Sequence, residues 1–514
     1  MPCGLSPYGS ATFYIFRKEK NMGKKILTVI LAALFIVSAV AMTSCQFAET
    51  GNDRVTIPKD TDENPDGAPT VVDFNGYNYR MMGQGFDKTA GAPLTICVEE
   101  LTTDVISNAW YLRNQKVQTL YNVKITAKEQ GNSYLLVKEF TGEDLVDVFF
   151  NPEKFHYVNT PEYAYNLLGI STLRLDRDYW DQNHNEALTV NGVLQTCVGN
   201  IYGSDEMWLN TVILNNDLFT DLKYDVEEFH KAVLDGKWYY EDFYNYVKQG
   251  TRDIDGIPGM TSSDQYGLMT SWDIYWQLYN AADLNVIEKD SDGDYQFTFN
   301  NEETYNVLNL VEDICKSSET TQFAETWNGT YNFAGMCTSF TKNHGLFCTM
   351  RILDMEALRS MDADYTILPI PKIYESQESY HSVENGNAVA IWIPTTVSDP
   401  EKVGLITEAL AYYSDDYQKA LYDKILMEKY ARDQVSQNLL KTVFTSVKWQ
   451  MDQQMGIADF ATACCHRWAE KRLGITDFAS KTKQLLNESQ DNLDAVIKAL
   501  EDSKKNTSAA VGEK

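Results

Sequence analysis

Seventy-three carboxylates, six histidines and nine cysteines are the groups with which this 514-residue chain could do acid–base, nucleophilic or metal chemistry. Their spacing builds no familiar reaction centre. The histidines, His156, His184, His230, His344, His381 and His466, are scattered, and no H-E-x-x-H occurs. Nor is there a G-x-S-x-G, the turn that presents a hydrolase serine. Asp205 and Glu206 are adjacent, so on one strand they point to opposite faces and do not flank a glycosidic bond together. Cys464-Cys465-His466 would diverge on a helix, and no second ligand cluster accompanies it. The acidic loop that starts Asp253-Ile254-Asp255-Gly256 opens like a calcium loop. Its next places hold Ile257 and Pro258, where an oxygen donor and a turn glycine are needed. Asp253, Asp255, Thr261 and Asp264 remain as weak donors, and the loop is read as solvated, without a tight metal site. No cofactor is expected.

The aromatic residues point to binding instead. With 31 Tyr against 22 Phe and 10 Trp, the chain favours rings that stack and also hydrogen-bond. A pyranose presents a C–H face and a rim of hydroxyls, so it calls for flat aromatic platforms beside Asp, Glu, Asn, Gln or Arg. Trp208 and Trp272 stand near the ends of loops, Trp276 follows one turn later, and Trp392 lies in a strand after Asn385-Gly386-Asn387. Trp110 and Trp238 fall on apolar stripes and are read as core.

The elements that position them alternate. Tyr77–Met82 reads as a strand leading into Gly83-Gln84-Gly85, Leu94–Val98 as another, and Asp104–Tyr121 as a helix. Val123–Ile125 and Leu145–Phe150 read as strands around a helix at Ser133–Phe140. This order indicates an α/β sheet, whose ligands sit beyond strand carboxyl ends. Ala187–Val190 and Val193–Val198, joined by Asn191-Gly192, read as a hairpin, and Thr211–Leu214 as a strand. Val226–Val247, Trp272–Ala282 and Thr304–Ser317 read as helical. Leu346–Met350, Thr366–Pro369 and Ala388–Ile393 read as strands, and Pro400 to about residue 500 as a helical tail with a frayed end from Ser503.

The front of the chain reads as an address. Lys24-Lys25 precede an apolar run from Ile26 to Met42, closed by Thr43-Ser44-Cys45. The segment resembles a bacterial lipoprotein signal, which implies lipidation of Cys45 as the mature N-terminus. Residues Met1–Asn21 fit no export pattern and place the natural start at Met22. Residues 45–70, rich in acids with Pro58, Pro65 and Pro69, read as a flexible tether. Cys3 and Cys45 belong to the leader, which leaves seven cysteines without C-x-x-C pairs, and free thiols are expected. A net charge of −29 excludes a nucleic-acid binder, and the single long apolar run excludes a multi-span membrane protein.

These runs stand in a familiar order. Phe74-Asn75-Gly76-Tyr77, Asp104 to Ala109 leading to Arg113-Asn114-Gln115-Lys116-Val117, Gly203-Ser204-Asp205-Glu206-Met207-Trp208, Asn215-Asn216-Asp217-Leu218, Gly236-Lys237-Trp238, Asp264-Gln265-Tyr266-Gly267-Leu268, Pro369-Ile370-Pro371-Lys372 and Asn385-Gly386-Asn387-Ala388 follow one another. In this collinearity the chain resembles the bacterial extracellular solute-binding proteins of family 1, the sugar-binding lipoproteins of ABC transporters. The resemblance implies an α/β, two-lobed, periplasmic-binding-protein-like (Venus flytrap, type II) fold with multiple crossovers. Residues 1–44 would be the leader and 45–70 the tether. Lobe one would hold 71–200 and 355–425, lobe two 201–354 and 426–500, and 501–514 would be frayed. It further implies a monomer, anchored outside the cell membrane by lipid at Cys45, that captures a sugar or oligosaccharide and delivers it to ABC permease subunits, without enzymatic activity. A peptide-binding lipoprotein of an ABC importer is the alternative, and a secreted glycoside hydrolase a more distant one. The solute is expected between the lobes, touched by Gln84 and Asn151 from one side and by Asp205, Trp208, Trp272 and Trp276 from the other, with Glu384 and Trp392 near a crossover. Stable anchoring needs two or more acyl chains, so Cys45→Ala is expected to leave the protein unlipidated. Mass spectrometry of the mature N-terminus and membrane fractionation check this, and unchanged processing and retention would refute it.

Overall fold

The computed structural model describes residues 67–83, 97, 100–101, 104–317, 319–384, 386–420, 434–474 and 477–512. The expectations at Cys45, at Gln84, for the leader, and for most of the tether and of Leu94–Val98 lie outside them.

The fold begins with a strand–helix–strand unit. The Asp104 carboxylate accepts the Ser107 N–H at 2.8 Å and starts helix α1, Val105–Tyr121. Asn122 ends it in the left-handed conformation at φ 47°, a place that asparagine tolerates. The helix buries Ile106, Trp110, Val117 and Tyr121 against the sheet. Strand β1, Tyr77–Gly83, runs parallel to β2, Val123–Glu129, in the register Tyr77 with Val123. Strand β3, Val148–Pro152, pairs parallel on the other side of β1. It passes straight into helix α2, Glu153–Asn159.

The second sheet draws on later chain. Its strands are β4 (Asn210–Asn215), β5 (Tyr266–Thr270), β8 (Thr321–Phe323), β9 (Gly345–Arg351) and β10 (Tyr365–Leu368), in the order β10-β4-β9-β5-β8. Strands β5, β8 and β9 are mutually parallel, whereas β4 is antiparallel to both β9 and β10. A small hairpin of β6 (Ile287–Lys289) and β7 (Tyr295–Phe297) stands apart, and helix α3, Ile274–Ala281, follows β5. The chain then returns through β11, Ser382–Val383, to β12, Val389–Trp392, which adds antiparallel to β3 and completes the first sheet as β12-β3-β1-β2. Strand β13, Val447–Lys448, pairs parallel with β11 beside this crossover, and Leu209 bridges Glu384 there.

Helix α4, Pro400–Tyr412, fastens the first sheet. Its Thr407 hydroxyl meets the Tyr79 hydroxyl at 2.7 Å. Its fully buried Glu408 accepts hydrogen bonds from Arg174 Nε at 2.9 Å, from Trp180 Nε1 at 3.0 Å and from the Tyr179 hydroxyl. After helix α5, Phe460–Leu473, the 35-residue helix α6, Phe478–Gly512, closes the chain. Its start packs Phe478 on Tyr305, and its far end donates from Ser503 Oγ to the Ala164 carbonyl and accepts the Asn166 N–H at Thr507 Oγ1. No helix among the described residues is long and apolar enough to cross a membrane.

Three sequence expectations need correction. Ala187–Val190 is not a strand, because Asp181 caps a helix over Gln182–Leu188 by accepting the His184 N–H. The Asn191-Gly192 turn does form, with positive φ at both residues, but Val190 and Val193 make only one isolated bridge. The return to the first sheet falls after Leu368 rather than at 355, since β10 pairs with β4. The end of the chain is helical through Gly512 rather than frayed from Ser503, because Ser503 and Thr507 are buried against residues 164–169. Breaking a buried ion pair by removing one partner costs about 3–5 kcal/mol. Glu408→Ala should therefore lower the unfolding free energy by about that amount, read as a reduced urea midpoint at unchanged slope.

Candidate functional site

The carboxyl ends of four strands open on one cleft. Beyond β3, helix α2 presents Lys154, Phe155, Val158 and Asn159. Beyond β5 come Trp272 and Asp273, and then Trp276 on α3. Asn387 of the crossover and Gln453, Gly456, Asp459 and Thr462 complete a space of about 490 Å³. Trp272 and Asp273 also line an inner chamber of about 160 Å³. Its walls are Gln277, Glu325 beyond β8, Tyr331, Phe333, and Arg351 at the end of β9, which pairs with Asn210 of β4. Sheet order alone brings these distant segments together, at the ends where α/β sheets bind ligands.

Buried polar atoms are normally hydrogen-bonded, and an orphan costs about 1–3 kcal/mol. Here several lack partners among the described residues: Trp276 Nε1, Gln277 Oε1, Gln453 Oε1 and both carboxylate oxygens of Glu325. Burial lifts Glu325 to about 7; its own backbone N–H and that of Trp272 offset this only in part, and Asp273 adds to it. Asp273 is lifted to about 6, again by burial, against the pull of Arg351 and the Ser271 hydroxyl. A larger cavity, about 840 Å³, has no lining residue in common with this cleft. Its acid Asp283 is already served by Lys448 at 2.7 Å and His381 at 3.5 Å. None of its lining side chains carries a buried orphan atom among the described residues. Satisfaction, not size, distinguishes the cleft from this larger cavity.

Of the residues proposed from sequence, Trp272 and Trp276 meet here. Trp208 stands one layer behind, half-buried, with the Arg351 guanidinium 4.8 Å over its ring. Asn151 is buried beneath the wall and donates to Ser133 Oγ at 2.8 Å, while the next residues, on α2, do the lining. Asp205 lines a separate small cavity with Asp181, Glu206 and Trp449; burial and the adjacent Glu206 hold its carboxyl well above the usual range. Glu384 is buried and occupied by the N–H groups of Gly386, Asn387 and Ala388 and by Gln454 Nε2, so it shapes the crossover and contacts no open space. Trp392 is core: it stacks on Phe149 and His156, each at 4.4 Å between centroids. The sequence reading missed Phe155, Asp273, Glu325, Tyr331 and Arg351. Only the Trp272-Asp273 adjacency marked any of them in advance.

Asp253, Asp255 and Asp264 can bring one carboxylate oxygen each within 4.8 Å of one another. Asp264 is already occupied by the N–H groups of Ile254, Asp255 and Thr261, and the Thr261 hydroxyl donates to Asp255. The loop thus closes on itself.

No protein-family model and no curated protein matches the chain. Among solved structures it is similar to an ABC substrate-binding protein from Listeria monocytogenes, solved in complex with cycloalternan. The likeness has a TM-score of 0.53 at 12% identity and covers 82% of this chain and 99% of that one. The fold is two-lobed and periplasmic-binding-protein-like. In this binding-protein fold, Trp392→Ala removes a core ring rather than a ligand contact. It should cost about 3–5 kcal/mol of stability, read by denaturant titration as a lowered midpoint.

Proposed function

We propose that this chain is the extracytoplasmic substrate-binding protein of an ABC importer, lipid-anchored at Cys45, that captures a carbohydrate in the cleft between its lobes and hands it to permease subunits. The observation that carries the reading is the cleft itself. Aromatic faces of Phe155 and Trp272 stand beside buried polar atoms that nothing in the described protein satisfies, Trp276 Nε1 among them. A sugar offers C–H faces to the first and hydroxyls to the second. The fold likeness to a binding protein solved in complex with cycloalternan, a carbohydrate, supports the same class, as does the paucity of reaction-competent groupings in the sequence.

Closure follows from the same atoms. In the unliganded cleft they need water, and a hydroxyl-bearing solute that reaches both lobes replaces it at once, which favours the closed arrangement by the difference in contacts. In a thermal-shift screen of oligosaccharides and short peptides, a saccharide at 100 times its Kd is expected to stabilise the protein by about 2.7 kcal/mol. Trp272→Ala is expected to weaken that saccharide at least about tenfold, by calorimetry, with the fold intact. A panel in which only peptides stabilise the protein would overturn the carbohydrate reading, and turnover of any saccharide would overturn the binding-only one.

A further inference from the structure

The inner chamber holds more acceptors than the protein fills. Both carboxylate oxygens of Glu325 are out of solvent, and only its own backbone N–H and that of Trp272 come near them, neither in full bonding geometry. Gln277, only 2% exposed, lines the same space with an equally unpartnered Oε1. Asp273 lies on the shared wall between chamber and cleft.

Arg351, the cation at hand, is committed elsewhere. Its Nε and Nη2 donate to Asp354 at 2.6 and 2.9 Å, and its plane covers Trp208 at 4.8 Å and Phe333 at 5.7 Å. It therefore neutralises Asp354 and reaches Asp273 only through space. Asp273 and Glu325 are left as two acids without an ion-pair partner among the described residues. A neutral hydroxyl would bring its own acceptor lone pairs into a space already crowded with them. A group that only donates, and carries positive charge, meets all three needs at once: Glu325, Asp273 and the Gln277 carbonyl. The ring of Tyr331 beside them also suits a cation. At about 160 Å³ the chamber admits one end of a ligand, and the adjoining cleft of about 490 Å³ takes the remainder.

We propose that the inner chamber is an ammonium subsite, and that the carbohydrate held in the cleft carries a free amine that enters between Asp273 and Glu325. The proposal rests on the carbohydrate reading above and narrows it to amino sugars.

A pH dependence follows from the groups that face these acids. Arg351 and Asp354 lie at and beyond the end of β9, Tyr331 follows the turn after β8, Cys465 faces them from α5, and Lys154 and Asp459 line the cleft that Asp273 borders. In the free protein, burial favours the protonated acids up to about 6 for Asp273 and about 7 for Glu325. An ammonium favours the ionised forms, so its binding expels protons and tightens as pH rises through that range.

The test is calorimetry with matched tetrasaccharides of glucosamine, N-acetylglucosamine and glucose, and a lysine-containing tetrapeptide, at about pH 5 and about pH 7. The glucosamine oligomer is expected to bind about tenfold or more tighter than its two neutral counterparts at the higher pH, with the advantage shrinking at the lower. Glu325→Gln and Asp273→Asn, each checked for an unchanged thermal midpoint or a raised one, should erase the advantage. Equal binding of all three oligomers, or an advantage that survives both substitutions, would sink the ammonium subsite while leaving the carbohydrate reading intact. Binding of the peptide with no saccharide bound would sink that reading itself.

Discussion

A buried carboxylate at the crossover holds the cleft in shape. Glu384 accepts three successive backbone N–H groups, those of Gly386, Asn387 and Ala388, at 2.7 to 2.9 Å, and Gln454 Nε2 at 3.0 Å. Burial pushes its carboxyl up, and these donors, Gln454 first, pull it back only in part. The loop wrapped around it needs a glycine at 386: φ is 82°, and a Cβ there would stand 2.5 Å from Gln453 Nε2. Through this one group the returning chain is fixed to Leu209 on one side and to Gln454 on the other. Asn387 and Gln453, which floor the cleft, inherit their positions from it. Closing or opening the lobes has to leave this knot intact, because an emptied carboxylate at that depth has no water to turn to.

The cleft reverses that logic. Around Glu384 every acceptor site is filled by the protein, whereas around Glu325, Gln277 and Gln453 buried atoms are left open. A buried polar atom left without a partner costs about 1–3 kcal/mol, so these atoms need a donor or acceptor from outside the protein. On the proposed reading, a solute that supplies those partners would raise the protein's stability as it binds. The two lobes contribute unequally. The first supplies an aromatic and a lysine from α2, while the second supplies the acids and most of the rings.

Local signals in the sequence carried the elements well where one physical cause acted alone. The apolar stripe from Ile106 to Tyr121, bounded by Asp104 and Asn122, marks α1 to within a residue. The apolar runs at Tyr77 and Thr211 mark β1 and β4. Where two causes compete the reading fails. Ala187–Val190 looks like a strand by composition, but the Asp181 cap, the residue just before Gln182–Leu188, decides for helix. Residues 193–198 are fully buried but make only isolated bridges, Val193 to Val190 and Cys197 to Ile391, so their hydrophobicity marks burial more than a strand. For the cleft, Trp272 and Trp276 were legible because a tryptophan near a strand's carboxyl end has two reasons to be there. Trp392 looked the same on paper, and only its stacking between Phe149 and His156 tells it apart. Glu325, Tyr331 and Arg351 carried no local signal at all: they meet through the order β4-β9-β5-β8, a long-range pairing that no window of sequence contains.

The path of the chain also sets a timetable. The first sheet starts at Tyr77 yet takes its edge strand from Val389–Trp392, its fastening carboxylate from Glu408, and the Asn166 and Ala164 contacts from Thr507 and Ser503. Synthesised from its N-terminus, the polypeptide releases the strands of the second sheet long before the first lobe has all its pieces. Non-local pairing of this span is slow, since loops of hundreds of residues must close before any contact rewards them. The lobe begun first is therefore the last to be finished: a chain interrupted before Val389 would emerge with the first sheet's edge bare, and one interrupted before its final helix would lack the contacts to Ala164 and Asn166.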